Sequence, residues 1–311
     1  MKILLFGGSG WLGHNIALNL ASKGYDLTIV TRGRKQTFQQ EIANLKTITA
    51  DKGDEAAMKQ IFETAYTHVI DTVPSEKSIE LIHKYAVHLQ HYLHCSSTGG
   101  YAPLPFVPCN ETAPYKGFAP GTGWDKKRIV DNQVMELFRE SGFPTTVIRP
   151  CYITGPGKLP MDNLGGRRTD FIADIIAEKT LDLPNDGKAL LHPIHVRDLA
   201  NSFYLSLVHP DASIGQIYNI GLSHAFSLND YLALTASVFN KKPMIHYMSV
   251  EAMLEKYGDT INPTGLRFLA EHMCFTIDKA VRDLEYRPSC TPEEAVIETA
   301  LWAAKSTNCQ W

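Results

Sequence analysis

Apolar positions in the first half of the chain follow two alternating rhythms. Lys2–Phe6 is a short apolar run that closes on glycines, the pattern of a buried strand. Trp11–Lys23 then carries Leu12, Ile16 and Leu20 at helical spacing and stops at Gly24. Asp26–Thr31 is β-branched and strand-like, and Lys46–Ala50 reads as a short third strand. Glu55–Thr64 is helical, His68–Val73 a fourth strand, and Ser75–Leu89 a helix with Ser75 as N-cap. His91–Ser97 is a fifth strand, Asp125–Ser141 a long amphipathic helix, and Thr145–Arg149 a sixth strand before Pro150. Strand and helix alternating in this way predict parallel βαβ units with right-handed crossovers. The expected product is an open sheet in the order 3-2-1-4-5-6.

Beyond about residue 150 the rhythm loosens. Gly155-Pro156-Gly157 and Asn163-Leu164-Gly165-Gly166 are loop signals. Phe171–Lys179, Asp198–Val208, Leu228–Phe239 and Pro292–Ala304 read as helices, and His192–Val196 and Gln216–Ile220 as strands. The predicted fold is α/β, a doubly wound parallel Rossmann sheet with a smaller C-terminal α+β substrate lobe. Residues 1–155 form the dinucleotide-binding part, to which some later segments return, and 156–311 mainly the substrate lobe.

Composition narrows the function classes. A net charge of −3 gives no general attraction to nucleic acid or anionic membrane, which makes nucleic acid an unexpected partner. No apolar run approaches the roughly 20 residues that span a bilayer. The N-terminal apolar run ends at Gly7, too short for a secretion signal, so a cytoplasmic location is expected. The six cysteines, Cys95, Cys109, Cys151, Cys274, Cys290 and Cys309, show no CxxC spacing, so reduced thiols are expected and no zinc site or disulfide framework. His88, His91 and His94 run from a helix end into a strand and would not share a face; no metal is expected.

The strongest chemical signal is Gly7-Gly8-Ser9-Gly10-Trp11-Leu12-Gly13, between an apolar strand and an amphipathic helix. Gly7 allows the tight turn, Gly10 lets backbone approach a pyrophosphate, and Gly13 lets helix and strand pack closely. The phosphate would meet the free N–H groups of the helix N-terminus. The second strand ends Thr31-Arg32-Gly33-Arg34-Lys35, with three cations and no carboxylate. A carboxylate there would suit the ribose hydroxyl of NAD, whereas arginine pairs with a 2′-phosphate, so NADP(H) is expected over NAD(H).

Further segments fall into a familiar order. Cys95-Ser96-Ser97-Thr98-Gly99-Gly100-Tyr101, Val147-Ile148-Arg149-Pro150 through Gly155-Pro156-Gly157, and Ile194-His195-Val196-Arg197-Asp198-Leu199-Ala200 resemble successive motifs of the NAD(P)-dependent epimerase/dehydratase superfamily of extended short-chain dehydrogenases. Thr31–Arg34, Asp51-Lys52-Gly53-Asp54 and Val69-Ile70-Asp71 are similar to its atypical branch, which includes the chloroplast stem-loop-binding proteins. The resemblance implies a dinucleotide cleft lined by Gly7, Ser9, Gly10, Trp11, Leu12, Gly13, Arg32, Arg34, Asp51, Thr72, Val73, Ser96, Lys127, Arg149, Pro150 and Ile153. It implies catalytic candidates at Ser97, beside Thr98, and at Lys127; simpler readings are a strand-end hydroxyl for Ser97 and a surface helix lysine for Lys127.

One departure matters. The family's catalytic pair is Tyr-x-x-x-Lys, and none of the thirteen tyrosines here has lysine four residues later. With Lys127 at the lysine position, Gly123 stands at the tyrosine and Asp131 in place of a common glutamate; a one-residue shift gives Trp124 and Arg128. Neither glycine nor tryptophan can pass the reacting proton. Tyr101, Tyr115, Cys95 and His94 are the nearby groups able to act as a relocated acid.

The resemblance therefore implies an oxidoreductase or epimerase acting on a sugar nucleotide or similar polyhydroxylated substrate. The alternative is a catalytically impaired NADP(H)-binding protein with a regulatory or RNA-binding role; the negative charge and the lack of an aromatic-basic stripe weigh against RNA. A scaffold role stands third. The resemblance also implies a homodimer through the helices after the fourth and fifth strands, where Ile79, Ile82 and Ala86 form a stripe that is equally a core-facing one.

Overall fold

A computed structural model describes residues 1–33, 42 and 45–309. The expected βα alternation forms as β1 (Lys2–Phe6), α1 (Trp11–Ser22), β2 (Asp26–Thr31), β3 (Lys46–Thr49), α2 (Glu55–Ile61), β4 (His68–Asp71), α3 (Glu76–Tyr85), β5 (His91–Cys95), α4 (Gly123–Ser141) and β6 (Thr145–Pro150). The strands pair in parallel in the order β3-β2-β1-β4-β5-β6, as the rhythm predicts. A seventh parallel strand, Gln216–Ile220, extends the sheet beyond β6, with Tyr218 opposite Ile148. The sequence marks that segment as a strand, but nothing local says which edge it joins.

The central strands are apolar because both faces are covered. Alternate residues divide between two cores. Ile3, Leu5, Ile16 and Leu20 pack with Phe203 and Tyr218 on one face; Leu4, Phe6, Ile82 and Val134 pack on the other. Ile79 and Ile82 of α3 are fully buried and Ala86 nearly so, which makes that stripe core-facing rather than interface surface. Helix ends follow local chemistry. Ser75 caps α3 in a reciprocal box with Ser78. Thr122 caps α4, which begins at Gly123, two residues ahead of the sequence expectation.

The remaining elements are β7 (Tyr152–Thr154), α5 (Phe171–Ile176), β8 (Thr180–Pro184), β9 (Leu190–Leu191), β10 (Pro193–His195), α6 (Val196–Val208), α7 (Pro210–Ser213), β11 (the seventh sheet strand), β12 (Phe226–Ser227), α8 (Leu228–Ser237), β13 (Met244–Met248), α9 (Val250–Tyr257), α10 (Pro263–Leu269), α11 (Asp278–Leu284) and α12 (Pro292–Ser306). Residues from α6, β11 and α11 belong to the first core. A separate core of Phe171, Leu181, Leu228, Val296 and Ala300 organises the smaller lobe. There β7 pairs with β10, β8 with β13, and β9 with β12. No helix among the described residues is long and apolar enough to cross a membrane.

Candidate functional site

One cavity opens at the ends of β1 to β4, and a second where the end of β5 meets the smaller lobe. The larger, about 480 Å³, is lined by Gly7, Ser9 and Gly10 of the glycine turn, Thr31 and Arg32 after β2, Ala50, Asp51 and Lys52 after β3, and Val73 after β4, with Phe6 and Val30 behind. Its size is ordinary for a small-molecule site. Gly7 has φ +81°, and a Cβ there would lie 2.3 Å from Thr72 Oγ1. A Cβ on Gly13 would lie 2.2 Å from the Gly7 carbonyl oxygen, so only glycine lets α1 start this close to β1. The N-cap of α1, Gly10, has no side chain to satisfy the first-turn N–H groups. A glycine cradle and uncapped helical N–H groups fit the diphosphate of a dinucleotide, and Arg32 stands exposed on the same groove.

Thr31 Oγ1 donates to Ser9 Oγ at 3.1 Å, fastening the turn to the end of β2. Asp51 accepts from the Gly53 amide at 2.9 Å and still lines the groove. Thr72 Oγ1 donates to the Phe6 carbonyl, and Val73 stands exposed on the groove wall. Trp11, next to the groove residue Gly10, donates its indole N–H to Pro156 O at 2.7 Å. Leu12 and Ile153 pack against the first core. Arg34 lies outside the described residues.

Lys52 is a groove residue that the sequence alone did not single out. Its ammonium donates to both carboxylate oxygens of the fully buried Asp71 at 2.8 and 2.7 Å, and to the Val73 carbonyl. The segment 51–54 carried the signal, as part of the resemblance, without indicating a partner.

Behind the second cavity lies a buried polar network. Strand alternation puts His94 and Ser96 on the α4 side, where His94 Nε2 lies 2.8 Å from Asp131 and Ser96 Oγ donates to Asp131 at 2.8 Å. Arg149 Nε donates to the same carboxylate at 3.0 Å, and Nη1 donates to Tyr101 Oη. Burial pushes the Asp131 carboxyl up, but Arg149, His94 and Ser96 more than reverse it and hold the carboxyl below its usual range. Arg149 is 3% exposed, and its guanidinium stacks 3.6 Å from the Tyr115 ring centroid. It is thus committed to this network, away from the groove the resemblance implied for it. Ser96 likewise turns its hydroxyl into the network rather than the groove.

The network fixes α4 on β5, and with it Lys127, one helical turn before Asp131. Lys127 Nζ donates to the Ser96 carbonyl at 3.1 Å, which brings the half-buried ammonium to the end of β5. Ser97 Oγ accepts from the Gly99 amide at 3.1 Å, and Thr98 Oγ1 donates to Pro150 O at 3.1 Å. Gly123, where the resemblance would put the family's tyrosine, has open space within 4 Å of a built Cβ. The neighbouring Trp124 lays its indole on Gly99 and stacks on Phe268 of α10, 4.3 Å between centroids at 11°.

The four groups considered as a relocated acid are held elsewhere. Tyr115 Oη donates to Ser97 O at 2.7 Å, and burial pushes its hydroxyl up. Burial also pushes Tyr101 to about 12 and Cys95 to about 11. None of these three, nor His94, lines either cavity.

Comparison with known proteins agrees with this geometry. The model of the NAD dependent epimerase/dehydratase family matches residues 3–80 and 75–221, and the chain belongs to that family. It is 24% identical over 304 residues to the chloroplast stem-loop binding protein of 41 kDa b of Arabidopsis thaliana, covering 92% of this chain and 75% of that one. It is 25% identical to the UDP-glucose 4-epimerase of Corynebacterium glutamicum, covering 98% of this chain and 96% of that one. In fold it matches the UDP-glucose 4-epimerase from Bifidobacterium longum, solved with NAD+ and UDP, at a TM-score of 0.75 and 18% identity over the whole of both chains.

Proposed function

We propose that this chain is a nicotinamide-dinucleotide-dependent oxidoreductase or epimerase that takes NADP(H) in preference to NAD(H). The observation that carries the reading is the 480 Å³ groove in which the glycine cradle of α1 faces Arg32, with no carboxylate at the end of β2. Gly7, Ser9 and Gly10 would hold the diphosphate, Arg32 the 2′-phosphate, and Asp51 and Val73 the adenosine walls. The dinucleotide, when bound, supplies or accepts hydride. Lys127 would hold the nicotinamide ribose, and the Ser97 hydroxyl hydrogen would bond a substrate oxygen.

The name of the epimerase relatives carries over a sugar nucleotide, or a similar polyhydroxylated compound, as a substrate class. That inheritance is weaker than the cofactor's, because the cofactor groove is built from this chain's own residues whereas the substrate class rests on relatives about 25% identical. A second reading, a catalytically impaired NADP(H)-binding protein, is favoured by Gly123 alone. Titration of NADPH and NADH, followed by nicotinamide fluorescence, tests the cofactor assignment. NADPH is expected to bind at least roughly tenfold tighter, with the difference lost in Arg32→Ala. Binding of neither nucleotide would overturn the reading.

A further inference from the structure

Two strands, β2 and β1, lie between β3 and β4 in the sheet. With neighbouring strands about 4.8 Å apart, β3 and β4 stand roughly 14 Å from one another. One side chain nevertheless ties their ends together. Lys52, in the turn after β3, carries its ammonium over the end of β1, 5.9 Å from the Phe6 ring centroid, to Asp71 at the end of β4. An ammonium has three hydrogens to give. Here two go to the Asp71 carboxylate oxygens and the third to the Val73 carbonyl.

Asp71 in turn accepts from the Val73 amide at 3.0 Å and from Ser78 Oγ of α3 at 3.3 Å. Both backbone polar groups of Val73 are therefore held by one ion pair, whose side chains are 16% and 0% exposed. Thr72, the residue before, is pinned to the Phe6 carbonyl through its amide and its hydroxyl. What this clamp holds is a wall of the groove. The Val73 side chain lines the groove and is exposed, and its Cγ2 would lie 3.1 Å from a Cβ on Gly7, so it abuts the glycine turn. Lys52 lines the groove as well, but it has no hydrogen left for a phosphate unless it gives up Asp71 or Val73.

We infer that Lys52 is a positioning residue for the adenosine half of the dinucleotide: through Asp71 it locks Val73 as a preformed wall beside the glycine turn. This rests on the reading that the groove takes a nicotinamide dinucleotide. A wall fixed before binding spares the ligand the cost of ordering it, so losing the lock weakens NADPH and NADH alike. Discrimination between the two stays with Arg32, which stands exposed on the same groove.

Lys52→Met alone leaves the Asp71 carboxylate buried without its partner and can unfold the chain. Lys52→Met combined with Asp71→Asn removes the pair without stranding a charge. The double variant is expected to bind NADPH and NADH each roughly five- to tenfold more weakly, with their ratio unchanged. In ligand-observed NMR, 2′,5′-ADP, which carries the adenosine half alone, should lose the same factor. A purely structural ion pair would lower the thermal midpoint and leave the affinity of the folded variant for 2′,5′-ADP as it was, and that result overturns the inference. A loss confined to NADPH overturns it too, by placing the Lys52 ammonium on the 2′-phosphate. Val73→Ala trims the exposed wall and keeps the backbone bonds of the clamp, so it folds whatever the double variant does. It should also weaken 2′,5′-ADP, and an unchanged affinity overturns the inference. Failure of the unaltered chain to bind either dinucleotide overturns the cofactor assignment instead.

Discussion

The indole N–H of Trp11 donates to the carbonyl oxygen of Pro156 at 2.7 Å, joining the helix that opens the dinucleotide groove to the loop that leads into the smaller lobe. Gly157 packs under the same ring; a Cβ there would lie 2.7 Å from Trp11 Nε1. Trp11→Phe keeps the ring contact and removes the bond, so a loss of about 1 kcal/mol is expected. That corresponds to roughly 1–2 °C in thermal midpoint for a chain of 311 residues. NADPH affinity should fall with it, since the bond anchors the residue that follows Gly10 of the groove. An unchanged midpoint and affinity would leave the latch without a role.

Gly10 and Gly13 should separate binding from folding. Alanine at residue 13 meets backbone at 2.2 Å, so Gly13→Ala is expected to destabilise by about 1–3 kcal/mol. At residue 10 the nearest atom, Gly7 O, is 3.3 Å away, so Gly10→Ala should fold nearly normally while holding the phosphate off. Urea midpoints and NADPH titrations of the two variants report this contrast directly.

Asp131 and Arg149 form a buried pair, 2.9 Å from Nη2 to the carboxylate. Asp131→Asn leaves an unpaired guanidinium in the core and should cost about 3–5 kcal/mol. Asp131→Asn combined with Arg149→Met should lose less than the two single changes added together. Additive urea midpoints would show that the pair does not act as a unit.

Acid should destabilise the fold through histidines buried as neutral rings. Burial lowers His192 to about 4 and His91 to about 3. Because these folded values lie below the unfolded value near 6.5, the unfolded chain binds more protons at mild acidity, and stability falls as pH drops from about 6.5 toward 4. At pH 5 each ring removes about 2 kcal/mol. His192→Asn should flatten its share of the slope in thermal scans between pH 7 and pH 5. A slope unchanged by this substitution would show that His192 takes no part in it.

The first six strands and their order were legible because short apolar or β-branched runs alternate with stretches of helical periodicity, and a right-handed crossover leaves few ways to lay them side by side. The glycine turn was legible because its chemistry is local: Gly7, Gly10 and Gly13 lie within seven residues, and each has a backbone reason to lack a side chain. Alternation along β5 also foretold that His94 and Ser96 turn away from Cys95, as they do toward Asp131.

What lies far apart in sequence was not legible. Arg149 reads as a cofactor contact until Asp131 and Tyr101 are found around it. Nothing in the segment 51–54 shows that Lys52 closes on Asp71. Phe268 carries no signal that it meets Trp124 across 144 positions, yet that stack shapes the cavity at Ser97. The sequence by itself determined the first six strands of the sheet and the dinucleotide turn, because periodicity and backbone sterics act over a few residues. Only the tertiary structure decided which cations face the groove and which are neutralised in the core, because burial and ion pairing depend on side chains that only folding brings together.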